Sequence, residues 1–110
     1  MSSMQKPQPW SPADATSNIR AIARGQFRLT FKGHAAERLK ERGLNTGDVL
    51  YLMKNGFVYE QAQPSTRKNC FKYLMECRTP NSNQRSLRVV VIPGIAPHEL
   101  KIITVMWVDE

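Results

Sequence analysis

The order of apolar and polar residues divides the chain into a helical first half and a strand-like second half. Before Gly56, apolar residues recur every three or four positions, as on one face of a helix. After Gly56 they tend to alternate with polar residues, as on one face of a strand. The helical segments are residues 11–24, 34–42 and 45–55. The pattern therefore predicts two or three helices ahead of a sheet.

Residues with special backbone chemistry mark the ends of these segments. Ser11 can cap the first helix with its side-chain oxygen, and Pro12 suits the first helical turn, where a backbone N–H has no helical partner. Asn45 or Thr46 can cap the third helix in the same way. The residues ahead of Ser11 are polar and rich in proline, so we predict that residues 1–10 form a flexible lead-in.

Several short segments have the composition of strands, and turn-forming residues separate them. They are residues 27–31, 57–60, 69–78, 85–92 and 100–108. The last three follow one another across short loops, which is typical of antiparallel pairing. We therefore predict a single α+β domain over residues 11–110, with two or three N-terminal helices packed on a three- to four-stranded antiparallel sheet.

Length and composition agree with one folded domain and exclude several other classes of protein. The chain has 110 residues, of which 41% are hydrophobic and 23% are charged. That length suits one core and is too short for two. The longest wholly apolar run, residues 89–92, is far too short to cross a bilayer, and no secretory leader is visible. We expect a cytoplasmic protein.

The two cysteines agree with a reducing compartment. Cys70 and Cys77 both fall in the segment 69–78, at an odd spacing that places them on opposite faces of a strand. At about 3.3 Å per residue their separation is roughly 23 Å. We expect no disulfide between them, because a disulfide requires Cα atoms within about 7 Å.

The charge is basic and unevenly distributed. The chain carries 16 Lys and Arg against 9 Asp and Glu, which gives a net charge of +7. Residues 61–88 hold six basic groups and one acidic group, whereas residues 89–110 are net acidic. A cationic middle of this kind favours a polyanionic partner such as a nucleic acid. An ordinary, well-solvated surface is the alternative interpretation.

The second helical segment gathers groups suited to phosphodiester chemistry. At about 100° per residue, His34, Arg38 and Arg42 share one face of the helix with two glutamates. An imidazole can move a proton near neutral pH, and a guanidinium can hold a phosphate with its planar fork. Cleavage of a phosphodiester uses both functions. The same residues also fit a solvated helix surface with ordinary i, i+3 and i+4 pairs.

This segment resembles part of a small bacterial family that is described only as a domain of unknown function. The matching elements are the run His34-x-x-x-Arg38-x-x-Glu41-Arg42-Gly43, the pair Asp48-Val49, residues 87–91 and residues 102–105. The family is similar to the RelE-like and BrnT-like toxins, and more broadly to the barnase-like, colicin-like and RelE-like ribonucleases. The resemblance covers about residues 27–109.

The resemblance implies a RelE/barnase-like fold and a metal-independent endoribonuclease that acts as the toxin of a toxin–antitoxin pair. His34 would be the general acid or base, and Arg38 would hold the scissile phosphate. Arg88 would be a second electrophile, and Thr104 a polar partner for Arg88 or His34. RNA and an antitoxin protein would be the partners, with no cofactor. The chain lacks the late tyrosine that is common in RelE-like enzymes.

Basic residues elsewhere in the chain could also contact phosphates. Besides Arg42, the candidates are Arg67, Lys68, Arg78 and Arg85. These side chains could bind nucleic acid, or they could serve only to keep sheet edges soluble. The histidines and cysteines show no zinc-ligand spacing, so we expect no metal site. The alternative function is a non-catalytic module of the same fold that binds nucleic acid or a protein.

Overall fold

The computed structural model describes residues 7–94 and 98–109 and places three helices ahead of most of the strands. In chain order the elements are α1 (Pro12–Arg24), β1 (Arg28–Phe31), α2 (Ala35–Glu41), α3 (Thr46–Asn55), β2 (Phe57–Val58), β3 (Gln63–Pro64), β4 (Phe71–Arg78), β5 (Ser86–Pro93) and β6 (Glu99–Trp107). The helical first half and the strand-rich second half agree with the prediction. The predicted strand 57–60 is shorter in the structure, and the short strand β3 was not predicted.

Local capping sets the ends of the helices where the sequence predicts them. Ser11 accepts a hydrogen bond through Oγ from the backbone N–H of Asp14 at 3.1 Å. Asn45 and Asp48 form a capping box at the start of α3, in which each side chain accepts from the other residue's backbone N–H. Gly43 ends α2 with a φ of +70°, a conformation that glycine adopts without strain.

The strands form one mixed sheet in the order β1-β6-β5-β4-β2, and β3 also pairs with β4. The β4–β5 and β5–β6 pairs are antiparallel, as predicted. β1 instead runs parallel to β6, with Arg28 opposite Glu99 and Phe31 opposite Ile102. The sheet therefore has more strands than predicted and is mixed rather than antiparallel. The partner of β1 lies at the far end of the chain, and no local sequence pattern specifies such a pairing.

Buried residues of all three helices join those on one side of the sheet in a single hydrophobic core, and we call that side the core face. Ile19 of α1, Leu39 of α2 and Leu52 of α3 are buried there. The strands contribute Tyr73, Met75, Leu87, Val89, Val91, Leu100, Ile102 and Val105 to the same core. Strand residues alternate between the two sides of a sheet, so the residues between these point to the opposite side, which we call the open face.

The last residues of the predicted lead-in belong to the core. Trp10 is only 4% exposed, and its ring stacks on Tyr73 with centroids 5.5 Å apart. The Tyr73 hydroxyl accepts from the backbone N–H of Trp10 and donates to Gln8 Oε1, each at 3.0 Å. Burial raises the pKa of this hydroxyl, which therefore stays protonated and able to do both. The segment 1–10, predicted as a flexible lead-in, thus contributes Trp10 to the core, and its residues 1–6 lie outside the described residues.

Asp48 is a buried carboxylate that ties α3 to the turn between β4 and β5. It is 1% exposed and accepts from the backbone N–H of Asn45 at 3.0 Å. It also accepts from the backbone N–H and the side-chain amide of Asn81 at 3.0 and 3.1 Å. Burial by itself raises the pKa of Asp48, but the hydrogen bonds from Asn45 and Asn81 outweigh it and hold the pKa below its ordinary value.

Replacing Asp48 by asparagine should therefore lower the free energy of unfolding at pH 7 by about 1–3 kcal/mol, since an amide cannot accept all of these hydrogen bonds. A carboxylate with a lowered folded-state pKa stabilises the protein above its unfolded pKa of about 4 and loses that effect as the pH falls through the folded pKa. Urea unfolding of the parent and Asp48→Asn should consequently differ at pH 7 and converge at acid pH. The exposed Glu60 provides the control, because Glu60→Gln should change stability little at either pH. Equal stability of the parent and Asp48→Asn at pH 7 would contradict this role.

Candidate nucleic-acid interface

The open face of the sheet is a basic surface with an apolar centre. Cross-strand pairing places the following residues on it: Arg28 and Thr30 of β1; Glu99, Lys101, Thr104 and Met106 of β6; Arg88, Val90 and Ile92 of β5; Lys72, Leu74, Glu76 and Arg78 of β4; and Phe57 of β2. Its charged members are five basic and two acidic side chains. A surface of this sign attracts the phosphate backbone of a nucleic acid.

An irregularity in β6 brings Thr104 to this surface. The pairing register of β5 with β6 shifts between Val90 and Val91. Val90 lies opposite Thr104, and Val91 lies opposite Ile102. The intervening residue, Ile103, is the extra residue of a β-bulge and reverses the alternation along β6. Ile102 and Val105 therefore both face the core, and Thr104 lies on the open face beside Val90.

Arg88 lies beside this apolar centre, on the open face of β5, in a tight ion pair. Its Nε and Nη2 both donate to Glu76 Oε2, at 2.8 and 2.7 Å. The two side chains are 23% and 16% exposed, so the pair is largely shielded from water. Glu76 and Arg88 are also directly opposite each other on β4 and β5. The ion pair fixes the guanidinium in place and offsets much of its positive charge.

Breaking this pair from one side should lower the free energy of unfolding by about 1–3 kcal/mol, because a charged hydrogen-bonding group loses its partner. Arg88→Leu and Glu76→Leu should each show that loss in urea unfolding. The double variant should lose less than the sum of the two, which gives a coupling energy. The exposed pair Arg85–Asp109 is the matched control, and Asp109→Ala should leave the unfolding midpoint unchanged. Additive losses in the double variant would show that Arg88 and Glu76 do not stabilise each other.

The imidazole of His34 is exposed and is held by a carboxylate. His34 stands at the N-cap position of α2, and its Nδ1 lies 3.1 Å from Glu37 Oε2. The side chains of His34 and Glu37 are 75% and 70% exposed. Arg38 follows one turn after His34 and is also exposed, while Ala35 and Leu39 anchor the helix in the core. This arrangement leaves Nε2 of His34 accessible for proton transfer.

The four residues expected to act together fall into two groups. His34 and Arg38 lie on α2, in the helical layer, whereas Arg88 and Thr104 share the open face of the sheet. Within the described residues, no hydrogen bond or ion pair joins one group to the other. His34 nevertheless follows the end of β1, and the backbone N–H of Lys32 donates to Ile102 of β6 at 2.9 Å, close to Thr104 along that strand.

The predicted phosphate-binding residues differ in their availability. Arg67, Lys68 and Arg78 are exposed, the first two in the turn before β4 and the third at the end of β4. Arg85 donates to Asp109 at 2.8 Å and lies over the ring of Trp107, with its guanidinium 4.2 Å from the ring centroid. The side chain of Arg42 is 12% exposed and lies 4.0 Å from Glu41.

A stacked aromatic pair at the β2 edge is the feature that sequence reasoning missed. Phe57 and Tyr59 are 47% and 65% exposed, and their ring centroids are 6.0 Å apart. The signal was present in the sequence, because the two aromatic residues flank Val58 and therefore share a strand face opposite to it. A predicted strand with one buried aliphatic between two aromatics indicates an outward-facing aromatic surface.

The structure gives little support for a reactive thiol or for a metal site. The thiols of Cys70 and Cys77 are both free, as predicted, although Cys70 precedes β4 rather than lying in it. Burial raises the pKa of Cys77 to about 11, with partial opposition from the charge of Arg20, so this thiol stays protonated at neutral pH. Over residues 7–94 and 98–109, His, Cys, Asp and Glu form no cluster of three that could hold a metal ion.

In the same described residues, no helix has the length and apolar character of a membrane span.

The described residues form a small α+β domain with three helices and a mixed sheet, and the open face of that sheet is basic. The chain belongs to the family described as a domain of unknown function, DUF4258, which matches residues 31–107. The matched segment runs from the end of β1 to the end of β6, so Trp10 and α1 lie outside it. Neither the curated proteins nor the solved structures contain a significant match to this chain.

Proposed function

We propose that this protein is a metal-independent endoribonuclease in which His34 transfers protons and Arg38 holds the scissile phosphate. The observation that carries the proposal is the exposed His34–Glu37 pair, with Arg38 one helical turn further on. A carboxylate at Nδ1 orients the ring. The resemblance to RelE-like and BrnT-like toxins supports a cellular role as the toxin of a toxin–antitoxin pair.

The proposed reaction uses His34 for one of its two proton transfers, solvent water for the other, and Arg38 for the charge on the phosphate. The ribose 2′-oxygen forms a bond to phosphorus while the bond from phosphorus to the 5′-oxygen breaks. The proton of the 2′-hydroxyl passes to a base, and the departing 5′-oxygen takes up a proton. Nε2 of His34 serves one of these transfers, and the guanidinium of Arg38 stabilises the charge that builds on the phosphate oxygens. The products are a 2′,3′-cyclic phosphate and a 5′-hydroxyl.

Arg88 and Thr104 fit a second role for the open face in the same proposal. Their position on the sheet suits contact with the RNA strand on either side of the scissile bond, where Arg88 adds positive charge. Glu76 already accepts hydrogen bonds from two N–H groups of Arg88. Arg88 would therefore contact RNA mainly through its remaining N–H groups. Binding would then hold the RNA strand between the open face of the sheet and α2.

A non-catalytic RNA-binding module is the second candidate, and the Arg88–Glu76 pair favours it. Two guanidinium N–H groups of Arg88 are already bound to Glu76, and this carboxylate offsets the positive charge that would stabilise a transition state. In this interpretation the basic open face binds RNA through its phosphates, and His34 only contributes to the surface of α2.

An assay on end-labelled single-stranded RNA in the presence of excess chelator tests the proposal. We expect cleavage with cyclic phosphate ends, since no metal takes part. Binding without cleavage, at any protein concentration and on RNA of mixed sequence, would support the non-catalytic module instead. Cleavage that stops when chelator is added would contradict the metal-independent mechanism.

A further inference from the structure

The aromatic pair Phe57–Tyr59 has the geometry of a surface on which a flat ligand can stack. The two rings are nearly parallel, with an interplanar angle of 25°, and both are more than two-fifths exposed. Most aromatic rings of this size are buried, because their exposure to water is unfavourable. Trp10 and Tyr73 of the same chain follow that rule and stack in the core.

Arg20 holds this pair in place from the helical layer. Its guanidinium lies 4.5 Å from the centroid of the Phe57 ring. Its Nε and Nη2 donate to the backbone oxygens of Gly56 and Asn55, each at 2.9 Å. The guanidinium is thus fixed by the end of α3, and Phe57 is fixed in turn by a cation–π contact. The rings are therefore ordered before any ligand arrives, which lowers the entropic cost of binding.

The pair lies at the edge of the basic open face. Phe57 is directly opposite Glu76, the partner of Arg88, on the strand at that edge of the sheet. Lys72 and Arg78 flank Glu76 on the same side of β4. A ligand that stacks on Tyr59, the more exposed ring, would therefore have its charged groups within reach of a basic surface. A nucleotide fits both features, because it joins a flat aromatic base to a negatively charged phosphate.

We propose that Phe57 and Tyr59 form a base-stacking platform for single-stranded RNA, with the phosphates following the basic residues of the open face. The inference rests on the RNA substrate of the proposed function and not on cleavage. Unpaired bases are required, because the bases of a duplex are stacked on each other and cannot reach the rings. The platform binds without sequence preference, since every base has a face that can stack.

The test is the affinity of the full chain for a fluorescein-labelled 2′-O-methyl RNA 12-mer, measured by anisotropy. This probe lacks the 2′-hydroxyl nucleophile, so binding is read without cleavage. We expect Tyr59→Leu and Phe57→Leu each to weaken binding about tenfold, because leucine keeps apolar area but offers no stacking face. Tyr59→Phe should bind as the parent does. Tyr51→Leu is the matched control, since Tyr51 is an exposed tyrosine on α3 and should not matter.

The outcomes separate this inference from the proposed function. Weaker binding by Tyr59→Leu in a protein that cuts no RNA would support the platform and refute the nuclease. Equal binding by Tyr59→Leu and the parent would refute the platform even if the parent cleaves RNA. Equal affinity for a duplex of the same length would also refute it. No binding of the single strand by the parent would overturn both proposals.

Discussion

Replacing His34 by alanine should slow RNA cleavage by about a hundredfold to ten-thousandfold, the usual contribution of a positioned acid or base. The imidazole is exposed and held through Nδ1 by Glu37 at 3.1 Å, so its loss removes the proton-transfer group without opening the core. The measurement is the initial rate of cyclic phosphate formation from end-labelled RNA with excess chelator. Circular dichroism and the melting temperature should show an intact fold.

Three further variants make this result specific. His98→Ala removes the other histidine of the chain, which is also exposed, and should leave the rate unchanged. Glu37→Gln should slow cleavage about tenfold, because a neutral amide forms a weaker hydrogen bond to Nδ1 and orients the ring less firmly. Arg38→Lys should also slow cleavage, since it loses the planar fork. Cleavage by His34→Ala at the parental rate would refute the assigned role of the imidazole.

Replacing Trp10 by alanine should lower the free energy of unfolding by about 3–5 kcal/mol, the range for a buried tryptophan. For a domain of this size the melting temperature should fall by about 15 °C or more. The ring is 4% exposed and stacks on Tyr73, so its removal leaves a cavity between the lead-in and β4. Thermal and urea unfolding both measure the effect.

Two control variants separate the stability contributed by the buried Trp10 ring from that of the Tyr73 hydroxyl and that of an exposed aromatic ring. Tyr73→Phe keeps the stacked ring but removes the hydroxyl that bonds Trp10 and Gln8, and should lower stability by about 1 kcal/mol. Tyr59→Ala removes an exposed aromatic ring and should change the melting temperature little. A melting temperature of Trp10→Ala equal to that of the parent would mean that Trp10 does not contribute to the core.

The burial of Trp10 could not be predicted from the sequence of the lead-in. The segment ahead of Ser11 is rich in proline and polar residues, and a single tryptophan in it has no periodic partner that would reveal a buried face. Its partner, Tyr73, lies on β4, far along the chain. Burial of Trp10 is consequently a property of the assembled core. The DUF4258 match begins at residue 31, so the contact joins a segment outside the match to one inside it.

The same distinction applies to the candidate site. His34 and Arg38 could be identified from the sequence because they share one face of a helix, and helical spacing alone places them together. The positions of Arg88 and Thr104 could not be identified in this way. A β-bulge moves Thr104 to the open face, and pairing of β4 with β5 brings Glu76 onto Arg88. Bulges and cross-strand partners depend on register, which the whole sheet determines.

By itself the sequence determined the elements whose hydrogen bonds are local. Helices α1 and α3 begin directly after Ser11 and Asn45, because those side chains cap backbone N–H groups three residues away. The antiparallel pairing of β4 with β5 and of β5 with β6 follows from the short separation of these apolar strands along the chain. Only the tertiary structure decided the parallel pairing of β1 with β6, the burial of Trp10 and the separation of His34 from Arg88. Each of these depends on contacts between distant segments, which form when the shared core excludes water.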